Sequence, residues 1–181
     1  MLMRGGEEEA VAPKYAHLER ERRFLVLPDR RPDLSAAPFV RMEDRYITNT
    51  RMRLRRMTDS ATGRVVMKLG KKYEAADPLA RPIVTTYLTK TEYDLLATLP
   101  ATTITKRSYA VEGASGRWRI DLFEGALAGL ETAEFDADND AALRATVPEP
   151  WCGREVSLDP QYQGGELALL SADDLASLRR G

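Results

Sequence analysis

Leu18-Glu19-Arg20-Glu21-Arg22-Arg23-Phe24-Leu25-Val26 decides how the rest of the chain is read. Its odd positions gather Glu19, Glu21 and Arg23 on one side, and period-two alternation marks a strand whose successive side chains point to opposite faces of a sheet. Three further stretches alternate in the same way: Arg51-Met52-Arg53-Leu54-Arg55, Arg117-Trp118-Arg119-Ile120-Asp121-Leu122 and Glu134-Phe135-Asp136-Ala137-Asp138. Residues 64–69, 82–88 and 103–111 also read as strands, with turn formers at 60–63 and 113–116 joining neighbours as hairpins. Thr89-Lys90-Thr91-Glu92 is a capping box opening a helix to about Leu99, where Pro100 stops it. A short closing helix starts at Ser171-Ala172-Asp173-Asp174, and a weaker one is expected over residues 138–147. The reading is α+β, mainly antiparallel β, with a few flanking helices. Residues 1–14 are expected to be a disordered tail and 15–181 a single domain without internal repeats.

Composition narrows the classes. The 181 residues carry 27 basic and 28 acidic side chains, one His and one Cys. A lone Cys152 forms no intramolecular disulfide and no Cys-rich zinc site, which favours a reducing cytoplasm. A lone His17 argues against His-based metal sites and Ser-His catalysis. It sits at the strand's edge as a boundary residue. Cys152 reads as a small hydrophobe, and Trp118 and Trp151 read as packing. Gly164-Gly165 lacks a strand-then-helix context and reads as a turn, not a phosphate loop. The apolar runs fall far short of the ~18 residues of a membrane span, and the acidic run Glu7-Glu8-Glu9 stands where a signal peptide has its apolar core. Near-zero net charge gives no field to gather nucleic acid.

The cancelling charges are segregated. Residues 41–56 hold six arginines against Glu43 and Asp44, and residues 121–140 hold seven carboxylates with no basic side chain. In an ordinary antiparallel sheet such faces are simply wet. Closed into a barrel with the charged faces inward, they place carboxylates opposite a cationic wall. That lumen suits a polyanion bridged to metal ions: arginine forks grip phosphate oxygens while carboxylates hold Mg²⁺ or Mn²⁺.

These residues carry a resemblance. Glu19-x-Glu21-x-Arg23-Phe24-Leu25-Val26 resembles the opening Glu-x-Glu-x-Lys strand of the CYTH family, the triphosphate tunnel metalloenzymes. Arg45-Tyr46-Ile47 is similar to its Gly-Tyr-Leu segment, Arg53-Leu54-Arg55 to its Arg-x-Arg strand, and Met67-Lys68 to its next basic strand. Lys106 to Tyr109 falls at Lys-x-Arg-Tyr, and Asp121-Leu122-Phe123 with Gly129-Leu130 at Asp-x-Phe…Gly-Leu. Ala133-Glu134-Phe135-Asp136 resembles Ala-Glu-x-Glu. Trp151 through Tyr162 resembles the close Trp-x-Gly-x-Glu-Val-Thr-x-Asp-x-x-Tyr. Seven pieces in the family's order cover about residues 17–170.

The resemblance implies an eight-stranded closed antiparallel tunnel that binds a triphosphate chain with divalent metal, Mg²⁺ or Mn²⁺. Glu19, Glu21, Asp121, Glu134 and Asp136 would be the metal carboxylates. Arg53, Arg55, Lys68 and Lys106 would hold phosphates, and Tyr46 would act with the residue at 23 in activating water. Three departures stand out. Arg23 replaces a lysine, and a guanidinium cannot give up a proton. Arg119 stands where many members carry a glutamate, and can itself contact phosphate. Ser108 occupies an arginine slot, with Arg107 displaced by one residue and so directed away from the lumen unless a bulge intervenes. The function expected is a divalent-metal-dependent triphosphatase acting on inorganic tripolyphosphate or a related triphosphate, a cytoplasmic enzyme with a small-molecule substrate and neither nucleic-acid nor membrane partner. A homodimer is left open. The competing readings are a triphosphate- or polyphosphate-binding module with weak or no catalysis, and an adenylate cyclase of the class IV type.

Overall fold

The structure is a computed structural model describing residues 13–178, so nearly all of the expected tail, residues 1–12, lies outside the described residues. The strands are β1 (His17–Val26), β2 (Val40–Ile47), β3 (Met52–Asp59), β4 (Val65–Lys72), β5 (Ala80–Tyr87), β6 (Ala101–Gly113), β7 (Gly116–Phe123), β8 (Glu131–Asp136) and β9 (Cys152–Glu155). The helices are α1 (Lys90–Leu96), α2 (Asp140–Ala145), α3 (Gly164–Leu167) and α4 (Ala172–Leu178). Strand order runs β5-β4-β3-β2-β6-β7-β8-β1, and β1 pairs back to β5, closing an eight-stranded antiparallel barrel. Eight strands enclose an interior wide enough for side chains or one small ligand.

β1 changes neighbours along its length. On one edge its first residues pair with β5, His17 opposite Ile83 and Glu19 opposite Arg81. Further along, Phe24 and Val26 pair instead with Glu155 and Cys152 of β9. On the other edge Glu21 through Leu25 pair with β8 throughout.

The apolar positions form two cores. Phe24, Val26, Tyr109, Trp118, Ile120, Ala133 and Phe135 lie on the outer faces of β1 and β6–β8, covered by Leu34 and Trp151. Trp118 is fully buried, its ring 5.1 Å from Phe135 and 5.4 Å from Trp151. Burying such a side chain contributes roughly 1.5–3 kcal/mol. The second core joins the inward-facing Ile104 and Phe123 to Leu127, Leu130, Val156, Tyr162, Leu167 and Leu175. The chain after β9 thus stoppers one end of the barrel.

The turns follow the local chemistry. The β3–β4 and β6–β7 hairpins occur where expected, with Gly63 at φ 71° and Gly116 at φ 123°, a region that favours glycine. The capping box holds: Thr89 Oγ1 accepts from the Glu92 amide, and Glu92 Oε2 accepts from the Thr89 amide at 2.7 Å. α1 ends at Leu96, short of the expected Leu99, and α2 covers only part of residues 138–147. Gly164-Gly165 opens the short helix α3 rather than forming a plain turn. No helix among the described residues is long and apolar enough to cross a membrane.

Candidate functional site

Alternation sends Glu19, Glu21 and Arg23 of β1, Asp44 and Tyr46 of β2, Arg53 and Arg55 of β3, Lys72 of β4, Arg81 of β5, Lys106 of β6, Arg119 of β7 and Glu134 of β8 into one cavity of about 350 Å³. Lys68 shares the inner face of β4 with Gly70 and Lys72. In the closed ring β3 stands four strands from β8, and β2 four strands from β1. Arg53 and Arg55 therefore face Glu134, while Asp44 and Tyr46 face Glu19 and Glu21.

The carboxylate wall contains its own cations. Arg23 donates from Nε to Glu134 Oε1 at 2.9 Å, from a terminal nitrogen to Glu21 at 3.2 Å, and to the Tyr162 carbonyl at 2.8 Å. Arg119 donates to Glu134 Oε2 at 2.9 Å and also engages Asp136. Lys72 reaches Glu19 at 2.7 Å and Glu21 at 3.5 Å. Burial would raise the Glu134 carboxyl, but Lys106, Arg23 and Arg119 hold it well below its ordinary range. Glu21 is likewise pushed up by burial, yet Arg23, with Lys72 and Arg119, brings it low. Asp136, at the edge of this group, goes the other way: burial outweighs Arg119 and raises it. Asp121 stands apart from these four, fully buried against Lys106.

The opposite wall is different. Asp44, 2% exposed, takes the Arg55 fork at 2.5 and 2.6 Å, with Arg53 at 3.9 Å. Lys68 and Arg81 form no ion pair with any described residue. Burial and then the neighbouring Arg55 and Arg53 depress the Lys68 ammonium, as happens where cations crowd without a matching anion. This stretch from β3 to β5 is a surplus of positive charge facing the cavity.

Tyr46 points at the stopper. A Cβ on Gly164 would collide with the Tyr46 hydroxyl, whereas one on Gly165 would sit 3.9 Å from its ring. Of the departures, Ser108 is buried on the inner face. β6 pairs with β2 and β7 without a bulge, so Arg107 points outward, meeting Glu124 at 3.2 Å and stacking over Phe39. His17 is exposed at the strand's start. Burial pushes the Cys152 thiol up to about 11, which fits an inert side chain.

Sequence reasoning missed Asp44, Lys72, Arg81, Tyr162 and Gln163 as lining residues. Lys72 lies two alternating steps beyond Lys68, and the pattern would have reached it had β4 been continued past Leu69. Arg81 was lost by starting β5 at Pro82 instead of Ala80. No local signal marks Tyr162 or Gln163, which enter the cavity only because the chain folds back over the barrel's end.

The donor set can be tested against a divalent ion. Among the described residues no three His, Cys, Asp or Glu side chains cluster as a ready cage. Mg²⁺, however, commonly uses one or two carboxylates and completes its shell with water and phosphate oxygens. Glu19 and Glu21 meet that requirement: both are hard oxygen donors, both face the cavity, and Glu21 is kept ionised. Their shared partner Lys72 is a flexible, partly exposed side chain, able to yield its place, and Glu21 is also held by Arg23 at 3.2 Å.

No family model matches the chain. It is 29% identical over 159 residues to an inorganic triphosphatase of Nitrosomonas europaea (strain ATCC 19718), covering 83% of this chain and 97% of that protein. A solved structure of an inorganic triphosphatase superposes with a TM-score of 0.55 at 25% identity, covering 84% of this chain and 95% of the other. A second solved chain, of a hypothetical protein, gives 0.56 at 24% identity, with 84% and 99% covered.

Proposed function

We propose that this chain, which resembles the CYTH family of triphosphate tunnel proteins, hydrolyses inorganic tripolyphosphate in the barrel lumen with a divalent ion. The observation that carries the substrate class is the cationic stretch Arg53, Lys68 and Arg81 on β3–β5, in which Lys68 and Arg81 form no ion pair with any described residue and Arg53 reaches Asp44 only at 3.9 Å. A phosphate chain relieves that crowding and accepts from guanidinium forks. The inorganic chain is favoured over a nucleotide because no element for reading a base is identifiable in the sequence. The Nitrosomonas relative, an inorganic triphosphatase by name, supports the same choice.

In this reading Glu19 and Glu21 hold Mg²⁺ or Mn²⁺, which when bound offsets charge on the phosphate oxygens. Arg53, Lys68 and Arg81 grip the chain from β3–β5, Arg55 is set in place by Asp44, and Lys106 by Asp121. Tyr46, fixed against Gly164, orients the attacking water in line with a terminal phosphorus. The water oxygen bonds to phosphorus, the anhydride bond breaks, and the water's protons leave on the two products. Arg23 takes no proton; burial would favour its loss, but Glu134 and Glu21 stabilise the charged guanidinium.

The test is phosphate release from tripolyphosphate, ATP and thiamine triphosphate with Mg²⁺ and Mn²⁺. Release is expected fastest from tripolyphosphate and is abolished by EDTA; no release with either metal, or release untouched by EDTA, overturns the reading. One observation favours binding without turnover, namely that Arg23 is locked by Glu134, Glu21 and the Tyr162 carbonyl. Calorimetry showing tight tripolyphosphate binding at saturating metal, with no phosphate released, would select it.

A further inference from the structure

Arg23, Glu134 and Arg119 stand in one row across three strands. Backbone register makes Arg23 and Glu134 direct partners across β1–β8, and Arg119 and Glu134 direct partners across β8–β7. The row is therefore set by strand pairing and does not depend on side chains chancing to meet. Both Glu134 oxygens are taken, Oε1 by Arg23 and Oε2 by Arg119, and Arg119 extends to Asp136. Arg23 is further anchored to the Tyr162 carbonyl.

An ion approaching Glu134 would have to displace two guanidinium groups, neither of which can be neutralised by losing a proton. Both would stay nearby and repel it. Among the described residues Glu19, by contrast, is ion-paired to Lys72 alone, while Glu21 meets Lys72 at 3.5 Å and Arg23 at 3.2 Å. Within the group, the carboxylates Glu19, Glu21, Glu134 and Asp136 are ion-paired to the cations Lys72, Arg23 and Arg119.

We infer that Arg119 is a resident cation of the lumen, so that the chain takes up one divalent ion, at Glu19 and Glu21, and none on β8. The inference rests on the reading of the cavity as a metal-assisted phosphate site. Arg119 presents the phosphate chain with a fixed guanidinium where an exchangeable ion would otherwise sit.

The test is a Mn²⁺ titration of the whole chain, with free Mn²⁺ followed by electron paramagnetic resonance and without any phosphate compound. The parent is expected to saturate at one ion per chain and to lose that ion in Glu19→Gln. Arg119→Glu is expected to gain a second ion, bound at least about tenfold more tightly than any second ion in the parent. Arg119→Gln serves as the milder variant, with the same direction expected, and circular dichroism confirms that each is folded. Two ions or none in the parent, or no added ion in either folded Arg119 variant, overturns the inference. Phosphate release is scored separately. One ion without release defeats the proposed hydrolysis and leaves this inference standing, whereas release with two ions does the reverse.

Discussion

Glu134 is the residue on which the acid wall turns. It is 6% exposed and meets a guanidinium on each oxygen. Replacing it by an amide removes the charge shared by Arg23 and Arg119 and leaves each with one remaining carboxylate, Glu21 and Asp136, and breaking a buried pair from one side costs about 3 kcal/mol or more. Glu134→Gln should therefore lower the melting temperature by roughly 6–12 °C in a chain of this size, read by calorimetry. An unchanged melting temperature would show that the row carries no stability. That Glu134 faces the cavity was legible from period-two spacing alone. Its two partners were not, because Arg23 and Arg119 meet it only through a strand register that no local pattern encodes. Asp44 was passed over for the same reason: in the sequence it sits beside Arg45, and only pairing with β3 brings it against Arg55.

At the scale of elements, the stopper formed by α3 is what positions Tyr46 on β2. Gly164 is required there by contact, since any side chain would enter the space of the Tyr46 hydroxyl, while Gly165 has room for a methyl group. Gly164→Ala should cost about ten- to hundredfold in kcat, because small displacements of a positioning group carry that penalty. Gly165→Ala should leave kcat close to the parent. Equal effects in both would mean that α3 does not set Tyr46. The strands themselves were readable, since alternating charge and apolar residues leave each of them only one comfortable orientation once a core forms. Their ends were less so: Ala80 and Arg81 precede the expected start at Pro82, and Lys72 lies beyond the expected end at Leu69. The stopper was invisible as such. Tyr162 and Leu167 are ordinary apolar residues until the barrel supplies Ile104 and Phe123 for them to cover.

Across the whole molecule, the paired carboxylates make stability depend on pH in a stated direction. Glu21 and Glu134, with Asp44, are held below their unfolded values of 4.5 and 3.8, in each case because arginine and lysine neighbours overcome the upward push of burial. The unfolded chain binds more protons there, so the stability they contribute is complete above those unfolded values and is lost as pH falls through the lower folded ones. Asp136 is raised and opposes this in part, since its folded carboxyl binds a proton more readily than its unfolded one. Melting temperature should be level from neutral pH down to about pH 5 and fall steeply below it; a maximum on the acid side would contradict the ion-pair arrangement. The closure of the barrel has a consequence for how the chain is made. β1 emerges first, yet its partners are β5, β8 and β9, so its ladder with Glu131–Asp136 spans more than a hundred intervening residues. At ribosomal rates of roughly 5–20 residues per second, that wait lasts on the order of 5–20 s. An unpaired apolar strand would meanwhile recruit strangers, whereas one carrying Glu19, Glu21 and Arg23 repels them. The side chains that line the finished lumen thus act beforehand as guardians of the nascent strand.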